Sequence, residues 1–364
     1  MTVTVAPTDP AALRTRFDAE LAAFLRGRGP GVPHDVPEAV LAVLHRFVLT
    51  GGKRLRPLFC YWGWRGTGAP DGGPIMVAAA ALELFHAFAL IHDDILDRSD
   101  HRRGEPSVHR LFAELHARSS WRGDPEAYGR NSALICGDLC AIWSDRMFHD
   151  CGLPAAQLRR GHALFALMRA EVIAGEYLDV LAGTATAEGH GSTTDGAVGT
   201  ALTVIRMKSA RYTVTRPLQI GAALAGADRA VLRALAEFGD PLGDAFQLRD
   251  DLLGVFGDPA VTGKSNLDDL REGKPTVLLA LARAAADPAQ SARLRDLVGD
   301  PALDAAAAAE LRQVIEATGA RRRIERMIRV RAEVARAALD RLPLAEPARS
   351  ALAVLAARAV HRRH

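Results

Sequence analysis

The chain has 364 residues, 49% of them hydrophobic and 5% aromatic, with a formal net charge of +3. That length can bury a large core and sits at the ceiling of one domain, while so small a charge excess gives no reason to expect a nucleic-acid partner. Abundant Ala, Leu and Arg with only short β-branched runs favour helices over strands, so an all-α protein is expected, built as a single helical bundle.

Residues 1–8 read as a loose tail ahead of one domain over 9–364. Asp9 followed by Pro10 is an N-cap with proline in the first turn, and it opens a helix that the stretch Gly27 to Pro33 ends. Further helices are predicted over 36–49, 54–65, 73–98, 105–117, 129–150, 154–181, 199–225, 228–255, 274–286, 289–298, 303–317, 320–341 and 345–362. The turns Gly66 to Pro74, Ser119 to Pro125, Gly183 to Gly199 and Gly257 to Lys274 join them, and none is long or polar enough for an interdomain linker. The longest apolar run, Ile75 to Ile91, is interrupted by Glu83 and His86 and leads straight into aspartates, which marks a buried helix and no membrane span. No basic region precedes an apolar run at the start, and Cys60, Cys136, Cys140 and Cys151 have neither zinc-ligand nor paired-framework spacing. A reducing cytoplasm is the expected location. The Arg-rich run from Arg321 to Arg341 carries Ile324, Met327, Ile328, Val330 and Val334 at helical spacing, so it reads as a solvated amphipathic helix.

Chemistry concentrates in two acidic clusters. In His92-Asp93-Asp94-Ile95-Leu96-Asp97 the carboxylates of Asp93 and Asp97 stand four residues apart on one helical face, Asp94 points aside, and His86 lies two turns back on nearly the same face. Paired carboxylates on one wall suit a hard divalent cation. Just beyond, Arg102-Arg103-Gly104 offers two guanidiniums shaped for phosphate oxygens, and upstream the turn Gly51-Gly52-Lys53-Arg54-Leu55-Arg56-Pro57 adds three cations where it enters a helix. Carboxylates that hold metal beside cations that hold phosphate describe a diphosphate bound through bridging Mg2+. The second cluster repeats this with Gln247, Asp250 and Asp251, followed by Lys264 and Lys274, while Lys208 sits in a basic patch on an otherwise apolar helix. The stretch Gly257 to Ser265 is no nucleotide-binding loop, because five residues separate its glycines and an acidic helix precedes it.

In this order the motifs resemble those of the trans-prenyltransferases, the isoprenyl diphosphate synthase family: a GGKRxRP turn at Gly51 to Pro57, DDxxD at Asp93 to Asp97 with RRG at Arg102 to Gly104, a midway Lys208, FQxxDD at Phe246 to Asp251, and a GK…GK loop from Gly263 to Lys274. The resemblance implies a bundle around a deep central cavity, a homodimer, and head-to-tail condensation of isopentenyl diphosphate with an allylic diphosphate, assisted by three Mg2+ ions. By position it implies Asp93, Asp97 and Asp250 as metal ligands, with Asp94 and Asp251 in support. Arg102, Lys208 and Lys264 then grip the allylic diphosphate, and Lys53, Arg56, His86 and Arg103 form the isopentenyl diphosphate site. Lys274 joins the substrate-binding set, while Ser209 and Gln247 are candidates for stabilising the carbocation or orienting water. Two departures stand out: Gly254 replaces the last aspartate of the second cluster, with Asp258 four residues too late to share its turn, and Ser265 and Leu267 replace proline and glycine in the loop.

The resemblance also places a chain-length ruler below the first cluster, where Phe88 and Ala89 stand five and four residues before Asp93. One aromatic at the fifth position without one at the fourth implies a geranylgeranyl (C20) product. The alternatives are a farnesyl or longer-chain synthase, a class I terpene cyclase, and a non-catalytic regulatory subunit; the cyclase has no use for Lys53, Arg56 and Arg103, and a regulatory subunit usually loses more of its aspartates.

Overall fold

A computed structural model describes residues 9–27, 36–184, 194–258 and 266–360. Within them the chain forms two compact units, one from Met1–Gly161 with Ile220–Ala227 and Ala345–Ala348, the other from His162–Gln219, Asp228–Leu344 and Arg349–His364. The expected N-terminal tail over residues 1–8 lies outside the described residues.

The first unit contains α1 (Pro10–Arg26), α2 (Glu38–Leu49), α3 (Leu55–Gly66), α4 (Gly73–Leu96), a hairpin of β1 (His101–Arg102) and β2 (Glu105–Pro106), α5 (Val108–Arg118) and α6 (Pro125–His149). The Asp9 carboxylate accepts the Ala11 N–H, the N-cap contact that the Asp-Pro signature predicts. Leu13, Phe17 and Leu21 recur every fourth residue of α1 and are fully buried, each contributing about 1.5–3 kcal/mol of burial. Phe17 meets Tyr61 of α3 edge-on at 6.4 Å. Helix α4 is long and apolar enough to cross a membrane by composition, yet most of it is buried inside the protein. It packs on α6, where Ser144 Oγ donates to the Ala81 carbonyl at 2.6 Å. The helix predicted from residue 105 starts instead at Val108, because the two-residue strands occupy the positions before it. Helix α6 starts four residues before the predicted 129, since Asp124 caps it by accepting the Glu126 and Ala127 N–H groups with Pro125 in the first turn.

The second unit holds α7 (Ala155–Thr184) from His162 on, α8 (Thr194–Val204), a π-helical segment (Ile205–Thr215), the start of α9 (Arg216–Leu224), α10 (Arg229–Phe256), the short α11 (Asp268–Arg271), α12 (Val277–Ala285), α13 (Pro288–Leu297), α14 (Ala305–Ala317), α15 (Ala320–Arg341) and α16 (Ala348–Val360) from Arg349 on. The single helix predicted over 199–225 is thus wider in its middle. Glycines of the flanking helices make room for it: a Cβ on Gly175 would stand 2.5 Å from the Lys208 nitrogen, and one on Gly243 2.6 Å from the Ala210 carbonyl oxygen. Helix α15 buries Ile324, Ile328, Ala335 and Leu339, so its Arg-rich sequence is amphipathic as expected, although Val330 and Val334 stand on its exposed side. It is tied to α10 by a bidentate pair in which Arg249 donates to Glu325 at 2.7 and 2.8 Å.

Candidate active site

In the first unit the last turn of α4 presents Asp93 and its C-cap residue is Asp97, both half-buried, while Asp94 is only 1% exposed. The Asp97 N–H still donates to the Asp93 carbonyl at 2.8 Å, so the helical spacing that pairs the two carboxylates persists to the end. The hairpin then reverses the chain: Arg102 pairs with Glu105 across it, and Arg103 and Gly104 take φ of 57° and 78°, the two left-handed positions of a type I′ turn. This folds Arg102 back onto the cluster. Its Nε donates to Asp94 at 2.6 Å and its Nη2 to Asp93 at 2.9 Å. Burial works against the charged guanidinium, but Asp94 and Asp93 outweigh it and raise its pKa above the ordinary value, so Arg102 neutralises part of the cluster at every working pH.

The Gly51-Gly52 turn uses φ of 70° and 88°, and Arg54 follows with φ of 51°. A Cβ on Gly52 would lie 3.0 Å from Arg54 Nη1 and 3.3 Å from Arg103 Nη2, so glycine lets two guanidiniums flank the backbone. Arg103 Nη1 donates to the Thr50 carbonyl at 2.9 Å. Lys53 is exposed at the rim of the turn and Arg56 is half-buried. His86 is pushed well below the ordinary imidazole range, first by burial and then by Arg56, Arg103, Arg102 and Arg54, which makes it a neutral hydrogen-bonding group at pH 7. The structure therefore brings His86 near two of its predicted partners, Arg56 and Arg103, with Arg102 of the proposed allylic grip also close. The third cation of the turn behaves differently. Arg54 is 2% exposed, and its left-handed backbone accompanies an inward side chain that donates to Asp18 at 2.7 Å, Glu83 at 2.9 Å and the Val48 carbonyl at 2.8 Å.

Below the cluster, the Phe88 ring is half-buried and lies 5.2 Å from Phe85 and 4.5 Å from the His92 ring, with Ala89 beside it on α4.

In the second unit the end of α10 carries Gln247, Asp250 and Asp251. Gln247 Nε2 donates to Asp251 Oδ1 at 2.9 Å, one helical turn on. Burial pushes the Asp251 carboxyl up to about 7; the Gln247 hydrogen bond and Lys274 pull the other way, while Asp269 and Asp250 add to the rise. The missing last aspartate has a structural counterpart: a Cβ on Gly254 would lie 1.8 Å from Asp269 Oδ2, so a carboxylate from the short α11 fills the space beside Gly254. Asp258, beyond the helix end, is exposed. Lys274 is half-buried, 3.9 Å from Glu272, and Arg312 fastens the loop to α10 by donating to the Val255 carbonyl at 2.6 Å and the Asn266 carbonyl at 2.9 Å. Lys264 and Ser265 lie outside the described residues.

Lys208 and Ser209 stand half-buried on the π-helical segment. Lys208 Nζ donates to Glu176 at 2.9 Å and Asp179 at 2.7 Å, both on α7, and Arg206 and Arg211 of the same patch pair with Asp244, Glu171 and Asp240. The basic patch read from sequence is thus balanced by acidic residues on its neighbours. Sequence reasoning missed Asp18, Glu83, Glu176, Asp179 and Asp269. Only Glu83 carried a signal, as a charge within an apolar run three residues before His86.

Each unit thus offers an all-oxygen set of carboxylates, Asp93 with Asp97 in one and Asp250 and Asp251 beside Asp269 in the other. Crowded carboxylates, one of them forced toward its protonated form, fit a hard cation such as Mg2+.

Comparison with known proteins agrees with this chemistry. Residues 37–317 match the family model for polyprenyl synthetase. The chain is 34% identical over 242 residues to a geranylfarnesyl diphosphate synthase of Aeropyrum pernix, covering 65% of this chain and 68% of that protein. It is 30% identical to a short chain isoprenyl diphosphate synthase of Methanothermobacter thermautotrophicus, over 90% of this chain and 92% of that one. Among solved structures, geranylgeranyl pyrophosphate synthase from Corynebacterium glutamicum, complexed with isoprenyl diphosphate and magnesium, superposes with a TM-score of 0.86 at 39% identity, covering 97% of this chain and 98% of that one. With the family model spanning most of its length, the chain belongs to the polyprenyl synthetase family.

Proposed function

We propose that this prenyl diphosphate synthase condenses isopentenyl diphosphate with an allylic diphosphate and stops at geranylgeranyl diphosphate. The observation that carries the reading is the gathering of Arg56, Arg103 and a neutral His86 in the unit that also presents Asp93 and Asp97, anion-binding groups beside cation-binding ones. In this reading Asp93, Asp97 and Asp250 hold Mg2+, three ions in all by resemblance to the family. Bound Mg2+ would draw negative charge off the departing diphosphate. Asp94, buried against Arg102, supports the cluster from behind. Arg102, Lys208 and Lys264 grip the allylic diphosphate, while Lys53, Arg56 and Arg103 hold isopentenyl diphosphate by charge and His86 by a neutral hydrogen bond. Gln247, committed to Asp251, orients that carboxylate, Lys274 balances it, and Ser209 is a polar neighbour of the reacting carbons. The allylic C–O bond breaks, the isopentenyl double bond attacks the freed carbon, and a proton leaves to restore an alkene.

The C20 product rests on Phe88, whose ring leans on Phe85 and His92, with small Ala89 next to it. A homodimer is supported by α6, where Leu134, Ile135 and Ile142 form an apolar stripe, Ile135 and Ile142 being 66% and 64% exposed. A cytoplasmic location is supported by four buried cysteines, none in a disulfide. The test is incubation with Mg2+, isopentenyl diphosphate and C5, C10 or C15 allylic diphosphates, with products separated by chain length. Arrest at C20 is expected. Arrest at C15, or growth past C20, would refute the product reading, and no elongation from any primer would favour a regulatory subunit.

A further inference from the structure

The proposed isopentenyl diphosphate half-site sets Arg56 and Arg103 beside His86, with Lys53 exposed on the same turn as Arg56, and such a crowd of cations is self-repelling unless something beneath it balances charge and fixes geometry. Arg54, Asp18 and Glu83 are placed to do this. Arg54 sits between Lys53 and Arg56 in sequence but turns away from them, and all three of its hydrogen bonds go inward, to Asp18 on α1, to Glu83 on α4 and to the Val48 carbonyl at the end of α2. One side chain thereby ties the turn to three helices.

Glu83 does more than pair with Arg54. It is 4% exposed, one helical turn from His86, and it lines a small pocket with Arg54, His86 and Arg103. Its Oε1 accepts from Arg54, and its Oε2 accepts no hydrogen bond from the described residues, so Glu83 keeps an acceptor uncommitted within this basic group. Gly52 completes the arrangement, since only a residue without Cβ lets Arg54 and Arg103 pack on either side of the turn.

We propose that Asp18, Arg54 and Glu83 are positioning residues for isopentenyl diphosphate: Arg54 pins the Gly51-Gly52-Lys53 turn so that Lys53 and Arg56 face the ligand, and Glu83 supplies the buried counter-charge that allows Arg103 and His86 to stand beside them. None of the three contacts substrate. The inference rests on the assignment of this half-site to isopentenyl diphosphate, and it separates the two substrates: the allylic diphosphate is held by other residues and is unaffected.

The test compares Glu83→Gln, which keeps the shape and an acceptor but removes the charge, and Arg54→Lys, which keeps the charge but loses the three-way fork, with wild type. KM for isopentenyl diphosphate should rise roughly tenfold or more in each, with KM for the allylic primer and kcat held within about twofold. Isothermal titration with isopentenyl diphosphate alone should show the same loss of affinity. Equal changes for both substrates, or for neither, would overturn the proposal. Should these buried substitutions prevent folding, Asp18→Asn decides, because the Asp18 side chain is 36% exposed and its loss leaves Glu83 in place; a rise confined to isopentenyl diphosphate supports the proposal and an unchanged KM overturns it. Wild type that fails to consume isopentenyl diphosphate with any primer refutes the proposed function itself, whereas active wild type with variants that show no split refutes only the positioning role.

Discussion

Asp251 offers a quantitative test of the second cluster. Its carboxyl is buried, beside Asp250 and Asp269, and sits at about 7 where the ordinary value is 3.8. A folded-state pKa above the unfolded one means that the native protein holds a proton which the unfolded chain releases, so raising the pH through this interval penalises folding and the penalty saturates above about pH 7. The interval corresponds to about 4 kcal/mol, an upper bound because water admitted to the site would lower it. Asp251→Asn retains a hydrogen-bonding partner for Gln247 and removes the titration. Metal-free wild type and variant should therefore melt at similar temperatures near pH 4, and by pH 8 the variant should melt several degrees higher. Added Mg2+ should raise the wild-type melting temperature at pH 8 more than the variant's, since the cation relieves the same penalty. Thermal melts by circular dichroism across pH 4–8, with and without Mg2+, read both effects. A melting difference independent of pH would refute the reasoning.

Other outcomes follow from the same geometry. Phe88→Ala should lengthen the product by at least one isoprene unit in thin-layer or liquid chromatography; an unchanged product would remove Phe88 as the length ruler. Gly254→Asp, which restores the family spelling of the second cluster, should lower rather than improve thermal stability and Mn2+ binding, because its Cβ collides with Asp269. Ile135→Asp combined with Ile142→Asp should shift the protein toward monomer in sedimentation velocity if the exposed stripe of α6 is the dimer contact.

What the sequence made legible was periodic or local. Helix positions followed from apolar spacing, and the first cluster's phase, with Asp93 and Asp97 on one face and Asp94 pointing aside, followed from helical spacing, whereas the burial of Asp94 against Arg102 did not. The start of α6 was missed although Asp124-Pro125 repeats the Asp9-Pro10 signature that had identified α1. The hairpin at Arg102 was missed because two-residue strands leave no periodicity. The widened π-helical segment has no local signal either, its room being made by glycines on other helices. The site divides in the same way. The residues proposed to meet ligands sit in motifs, but the groups packed against them, Asp18, Glu83, Glu176, Asp179 and Asp269, are brought in by tertiary packing from as far as 36 residues away in the case of Asp18 and Arg54. Arg54 shows the limit most clearly: its spelling is that of a phosphate-binding cation, and only its buried, left-handed setting reveals a support. Gly254 is the converse, a departure from the motif that makes sense once Asp269 is seen beside it.

The most direct measurement of the central claim is incorporation of labelled isopentenyl diphosphate into an allylic primer by wild type, Asp93→Ala and Asp250→Ala, each with Mg2+ and with the metal chelated. Wild type should incorporate label only with Mg2+, and each substitution should cost roughly two orders of magnitude or more in rate. Incorporation that survives chelation or both substitutions would contradict the account, as would cyclic hydrocarbon formed without isopentenyl diphosphate.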